Sequence, residues 1–272
     1  VTATTVAEAL REAARRIGGD TGRLDAEVLL GHALGLERGS LLLSADRRIE
    51  PEAYDILVDR RVSGEPVAYI TGRREFWSLD LLVTPDVLIP RPDSETLIEA
   101  ALAGVARPPA RILDLGTGSG ALLLAALSEW PQAMGVGVDR SMAALAVAAG
   151  NAKRLGLASR AQFVAGDWGY GVEGRFDLIV SNPPYVEDKA VLSADVRDHE
   201  PASALFAGVD GLDDYRRLVP QLPGLLADDG LAVIEIGHSQ AAAVLAIAGA
   251  AGLGGSVRHD LAGRDRCLVL RH

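Results

Sequence analysis

The chain has 272 residues, 49% of them hydrophobic, with a formal net charge of −10 and a pI near 5.0. That length and apolar content suit one large or two modest domains; no segment has the ~18 consecutive apolar residues of a membrane span, and the charged start "VTATTVAEALREAARR" lacks the apolar run of a signal peptide, so a globular cytoplasmic protein is expected. Acidity disfavours a general grip on duplex nucleic acid, the single cysteine (Cys267) excludes an internal disulfide and a cysteine-based zinc site, and five histidines at no HxH or HExxH spacing predict no metal.

Residues 1–64 have helical periodicity and no strand signal. "TTVAEALREAARRI" puts Val6, Leu10 and Ile17 on one stripe, with Thr5 as N-cap and Glu8 completing a capping box. "GRLDAEVLLGHALG" and "EPEAYDILVDRRVSG" follow in the same way, each closed by glycine. The polar residues of this small bundle form no catalytic constellation, so a partner-binding domain is the natural expectation. Residues 65–92 change to extended pieces, "PVAYITG" and "REFWSLDLLV", with a hairpin turn predicted at Thr71-Gly72. Pro85, Pro90 and Pro92 then stiffen the connection to a helix running to Leu102, capped by Asp93 or Ser94.

From 93 to 272, strands alternate with helices. "RILDLG", "AMGVGVD", "AQFVAGD" and "RFDLIVSN" read as strands separated by helices; after an insertion come the helix "LDDYRRLVPQLPGLL", the strand "LAVIEIG", the helix "SQAAAVLAIAGAAG" and two final extended pieces, "SVRHD" and "RCLVLR". This alternation predicts a mostly parallel sheet covered on both faces, with ligands beyond the carboxyl ends of its strands.

The strand ends carry the functional signal. "DLGTGSG" places Gly116, Gly118 and Gly120 ahead of a helix N-terminus, where the backbone can turn sharply and approach a ligand. Dehydrogenases, flavoproteins and methyltransferases share such turns, but GxGxG lacks the last glycine of the dinucleotide fingerprint, and no basic residue meets a pyrophosphate. Asp139 ends the second strand, where it can accept the ribose hydroxyls of an adenosine or simply cap the next helix, as Ser141 also could. "GDW" brings an acid and Trp168 to the third strand end, suited to an adenine amino group and ring. An adenosine without a phosphate grip suggests S-adenosylmethionine.

The fourth strand ends on "SNPPY". Methylating a planar nitrogen requires that the nitrogen be positioned, because its lone pair is delocalised. The Asn182 side-chain oxygen and the Pro183 carbonyl can each accept one hydrogen of an NH₂ group and stabilise the charge that develops as the C–N bond forms. Pro183-Pro184 stiffens the turn, and Tyr185 offers a flat face to the planar group. Alternatively, the motif is a plain turn with Tyr185 packing.

NPPY after the fourth strand is similar to the motif of amino-methyltransferases acting on adenine N6, cytosine N4 or glutamine amides. Through "PVAYITGRREFWSLDLLVTPDVLIPRPDSETLIE" (66–99), "ILDLGTGSGALLLAAL", "VDRSMAALAVAAGNA", "HEPASALFAGVDGLDDYRRL" (199–218) and "IEIGHSQ", the chain more specifically resembles the peptide chain release factor glutamine methyltransferases. The resemblance implies an α/β fold: a Rossmann-like, seven-stranded class I methyltransferase domain preceded by a small helical bundle and a β-hairpin linker. It implies S-adenosylmethionine as cofactor, S-adenosylhomocysteine as product and class I release factors as partners, with no direct nucleic acid and no membrane. It carries cofactor contacts onto Gly116, Thr117, Gly118, Ser119, Gly120, Asp139, Trp168 and Asn182, and substrate contacts onto Asn182, Pro183, Pro184 and Tyr185, with catalysis on Asn182, Pro183 and Tyr185. The rivals are a DNA or RNA amino-methyltransferase flipping a base into the same pocket, a non-catalytic binding module and a dehydrogenase. Arg91 could contact substrate or pair with Asp93 or Glu95, and His199 and Glu200 could belong to a lid or a solvated loop.

Overall fold

A computed structural model describes residues 3–272, which divide into two compact units: one runs to Arg73 and takes in Leu192–His199, the other comprises Arg74–Val191 and Glu200–His272.

In the first unit, β1 (Thr4–Thr5) leads into α1 (Val6–Ile17), followed by α2 (Gly22–Leu34), α3 (Arg38–Leu42), β2 (Arg48–Ile49), α4 (Glu52–Val62) and α5 (Val67–Thr71). The capping box at α1 forms as its sequence predicts: Glu8 N–H donates to Thr5 Oγ1 at 3.2 Å and Thr5 N–H donates to the Glu8 carboxylate at 3.0 Å. Val6, Leu10, Leu29, Leu30 and Val58 make the core, with the Tyr54 hydroxyl satisfied by the Ala26 carbonyl at 3.0 Å. Three expectations need correction. The two-residue strands β1 and β2 pair antiparallel where no strand is expected, and α4 ends at Val62 with Ser63, not Gly64, as its cap. "PVAYITG" is helical: Pro66 opens a short helix, a position that wastes no amide donor, and Gly72 ends it in the left-handed region at φ 70°.

The second unit begins at Arg74, within the hairpin of β3 (Arg73–Phe76) and β4 (Leu79–Leu82), whose turn is Trp77-Ser78. Both turn residues have positive φ, 51° and 58°, the geometry of a tight type I′ turn. It is held from outside: Trp77 N–H donates to Glu95 at 2.8 Å and the indole N–H to Glu129 at 2.6 Å. The proline segment leads to α6 (Glu95–Gly104), then β5 (Arg111–Leu115), α7 (Ala121–Glu129), β6 (Met134–Asp139), α8 (Met142–Arg154), β7 (Ala161–Ala165) and β8 (Phe176–Ser181). The chain finishes with β9 (Leu226–Glu235), a helix over Ala241–Ala250, β10 (Gly254–His259) and β11 (Asp265–Arg271). Pro220 and Pro223, which lack an amide donor, break the expected long helix before β9 into pieces at Asp213–Leu218, Val219–Gln221 and Leu222–Leu225.

These strands form a seven-stranded sheet in the order β10-β11-β9-β8-β5-β6-β7, parallel except where β11 pairs with β10 and β9. Side chains alternate between two cores: Ile112, Leu178, Val180 and Val233 pack with α6 and α7, whereas Leu113, Ile179, Ala232 and Ile234 pack with Tyr215, Leu218 and Val244. Cys267 is buried in β11, as expected of a small hydrophobe. The chain leaves β5 for β6 on one side and later returns to β8 on the other. The carboxyl ends of β5 and β8 therefore flank the topological switch, where an open α/β sheet offers its crevice.

Candidate active site

A cavity of about 320 Å³ opens at this switch. Gly116, Thr117, Gly118, Ser119, Asp139, Trp168, Asn182 and Pro184 line it, together with Pro85, Pro90 and Ser94 from the proline segment and Ser203 from the insertion. Gly120, Pro183 and Tyr185 adjoin lining residues in the chain without lining the cavity themselves.

The glycine loop is shaped by backbone conformation. Gly116, Gly118 and Gly120 all have φ in the left-handed region. At Gly116 a side chain would be doubly disfavoured, by φ of 76° and by the Trp168 ring 3.1 Å from where a Cβ would stand. Trp168 itself has φ of 55°, an uncommon conformation for a bulky residue, which sets its indole beside the loop. Asp139 ties the pieces together: one carboxylate oxygen accepts the Gly118 N–H and the other the Ser141 N–H, both at 2.9 Å. The cap of α8 belongs to Ser141, whose hydroxyl accepts from Ala144 N–H at 3.1 Å. Asp167 is ion-paired with Arg217. Beneath the loop, Thr117 donates to Asp114 Oδ2 at 2.6 Å, while Asp114 Oδ1 is buried without a hydrogen-bond partner; burial pushes this carboxyl up to about 7.

The β8 end is held by side chains from distant segments. Asn182 Nδ2 donates to Ser94 Oγ at 3.2 Å, Ser94 donates to Glu235 Oε2 at 2.5 Å, and the Tyr185 hydroxyl donates to Glu235 Oε1 at 3.2 Å. One carboxylate at the end of β9 thus holds both ends of the Asn-Pro-Pro-Tyr turn. Ser94 has no side-chain capping bond at α6, contrary to that expectation, because its hydroxyl is used here. Gln240 Nε2 donates to the carbonyls of Tyr185 at 3.1 Å and Gly211 at 3.2 Å. Gly211 passes so close that a Cβ would lie 2.4 Å from the Tyr185 carbonyl oxygen. Just beyond, Val186 exchanges backbone hydrogen bonds with Leu205 and Ala207, both at 2.9 Å.

Arg91 pairs with neither Asp93 nor Glu95; it bonds Glu200, which is buried and also receives the Ile89 N–H at 3.2 Å. The structure therefore makes Glu200 a pin for the proline segment. Ser94, Glu235, Gln240 and Asn151 are the site residues that motif reading misses. Asn151, fully buried on α8, accepts the Leu82 N–H at 2.7 Å and donates to the carbonyls of Leu82 at 3.0 Å and Ser119 at 2.9 Å, joining the hairpin to the glycine loop. Each lies in a segment that carries the family resemblance, but none has a spacing that announces its partner.

The cavity thus brings Asn182 to one wall and sets a glycine turn, an indole at Trp168 and a carboxylate at Asp139 around the rest. A family model described as the PrmC N-terminal domain matches residues 8–72, and one described as the methyltransferase small domain matches residues 94–198. The chain is 47% identical over 260 residues to a release factor glutamine methyltransferase of Rhodospirillum rubrum (93% of this chain, 80% of that protein). It is 45% identical over 279 residues to one of Moorella thermoacetica (97% and 98%). The fold is shared with a ribosomal protein L11 methylase from Lactobacillus delbrueckii subsp. bulgaricus (TM-score 0.52, 21% identity, 70% of this chain and 84% of that one). A methyltransferase from Pyrococcus furiosus also shares it (TM-score 0.54, 18% identity, 71% and 87%).

Proposed function

The chain belongs to the release factor glutamine methyltransferase family, and from that premise we propose that it methylates the side-chain amide nitrogen of the glutamine in the Gly-Gly-Gln motif of class I peptide chain release factors, with S-adenosylmethionine as donor. The residues present fit that cofactor. Gly116 and Gly118 allow close backbone approach, Trp168 and Asp139 border the cavity, and no cation in the loop asks for a phosphate. When bound, S-adenosylmethionine supplies a methyl group on a positively charged sulfur.

The protein's own contribution is placement. The observation that carries the chemistry is Asn182: it follows β8 directly, on the cavity wall, with its amide nitrogen already committed to Ser94, which leaves its carbonyl oxygen for a ligand NH₂. That oxygen and the Pro183 carbonyl are the two acceptors that orient the glutamine amide. Both dipoles also favour the positive charge that builds on nitrogen during transfer. No strong base is required, because the nitrogen becomes acidic only as the new bond forms, and water can take the proton. Most of the acceleration comes from alignment.

The test incubates the protein with methyl-labelled S-adenosylmethionine and, separately, a class I release factor, the same factor with its motif glutamine replaced, and duplex DNA. Label is expected on the intact factor alone. Label on DNA alone would overturn the reading.

A further inference from the structure

We infer that Ser94 and Glu235 are positioning residues that decide which end of the Asn182 side-chain amide faces the substrate, with the Glu235 carboxylate as the deciding group. The inference rests on the methyl-transfer reading above and assigns its polarity control.

A serine hydroxyl has one hydrogen to give. While Glu235 is ionised it can only accept, so the Ser94 hydrogen is committed to it, consistent with the 2.5 Å separation of a charge-assisted hydrogen bond. Ser94 is then left as an acceptor toward Asn182, 3.2 Å away. Only the Nδ2 end of Asn182 can satisfy it, and the Oδ1 end must turn to the ligand. Once Glu235 carries a proton it can donate to Ser94, the Ser94 hydrogen is released, and that hydrogen can bond Asn182 Oδ1 instead. The flipped amide would present N–H groups to the NH₂ it is meant to orient, donor against donor. The same carboxylate accepts the Tyr185 hydroxyl, so protonation loosens both ends of the turn together.

The groups facing Glu235 come from every element packed around it. They are Arg266 and Cys267 on β11, Asp93 and Ser94 before α6, Tyr185 after β8, and Tyr215 on the helix Asp213–Leu218. Burial raises this carboxyl to about 7, helped by Asp93 and opposed by the hydrogen bonds from Ser94 and Tyr185 and by the charge of Arg266. The switch therefore falls where an ordinary assay can cross it.

The expected result is a one-proton loss of turnover as pH falls from 8.5 to 5.5, with the KM for S-adenosylmethionine nearly flat. Glu235→Gln and Ser94→Ala should each flatten that limb and lower turnover at pH 8.5 by about 10- to 100-fold, the scale of a misplaced reacting group. Ser94→Thr, which keeps the hydroxyl, should restore both rate and limb. A readout independent of activity is the side-chain ¹⁵N–¹H signal pair of Asn182, identified by its loss in Asn182→Ala. This pair should shift with the Glu235 titration in the wild type and stop doing so in Ser94→Ala. If the wild type labels the release factor while both variants keep the wild-type rate and limb, the inference falls and the function stands. An Asn182 signal indifferent to the Glu235 titration overturns the inference whatever the enzyme is found to methylate.

Discussion

The two strand ends that border the cavity are held in place by different means. After β5, the chain takes its shape from its own backbone: left-handed glycines at 116, 118 and 120 within one seven-residue stretch, steadied by Asp139 from the neighbouring strand. After β8, the chain is rigid because of its prolines, but it is aimed by Ser94, Glu235, Gln240 and the close passage of Gly211. A loop that must cradle a large ligand gains from close backbone approach. A turn that must hold one amide by direction gains from side-chain hydrogen bonds that allow a single arrangement. Damage at β5 should therefore be read mainly in cofactor affinity, and damage at β8 mainly in turnover.

Asn182→Ala tests that division most severely. It should lower kcat by roughly 10²- to 10³-fold, the usual cost of deleting one preorganised charge-stabilising group, while cofactor affinity by calorimetry moves less than about threefold. A large loss of affinity with kcat preserved would erase the distinction. Gly116→Ala should do the reverse. A left-handed non-glycine residue costs about 1–2 kcal/mol and the Trp168 ring must move, so the cofactor Kd should rise about tenfold with kcat at saturation nearly retained. Arg91→Ala leaves buried Glu200 without its cation. Because Arg91 is itself 37% exposed, the loss, read from the urea midpoint, should be about 1–3 kcal/mol, below that of a fully buried pair.

A separate effect concerns pH and involves one carboxyl on β5 and one at the end of β9. Asp114 and Glu235 have carboxyls raised to about 7 in the fold, against about 4 in an unfolded chain. The folded state then holds more protons than the unfolded one between those values. Stability should fall as pH rises from about 4 to about 7 and level off above, and Asp114→Asn should reduce the slope without touching the Glu235 part. Urea midpoints at pH 5 and pH 8 measure it; a slope unchanged in Asp114→Asn would place that carboxyl outside the balance.

The same contrast explains what was legible in the sequence. Alternating strands and helices, the glycine turn and the Asn-Pro-Pro-Tyr turn are local patterns, and they fold as read because their physics is local. Ser94 reads as a helix cap, and Glu235 as an ordinary strand residue. Their pairing spans 141 positions and exists only once α6 packs against β9. The hairpin is misread for a related reason. Thr71-Gly72 has a glycine where a turn would want one, yet that glycine ends a helix, while the actual turn falls on Trp77-Ser78, which lack the Asn-Gly signature of such turns. Resemblance to a family marks the right segments at 66–99, 199–218 and 234–240. Which residue bonds which is a property of the tertiary structure.

That Trp77-Ser78 turn has a meaning in folding time. Its two left-handed residues disfavour the hairpin in isolation, and its anchors are carboxylates on α6 and α7, 18 and 52 positions away. Loop closure of that length must be achieved before the anchors contribute. Trp77→Ala should therefore raise the rate of unfolding more than it lowers the rate of folding, which stopped-flow measurement of both rates checks. The hairpin backbone is joined to the glycine loop through one buried asparagine, so an opening of the hairpin would be felt at the loop.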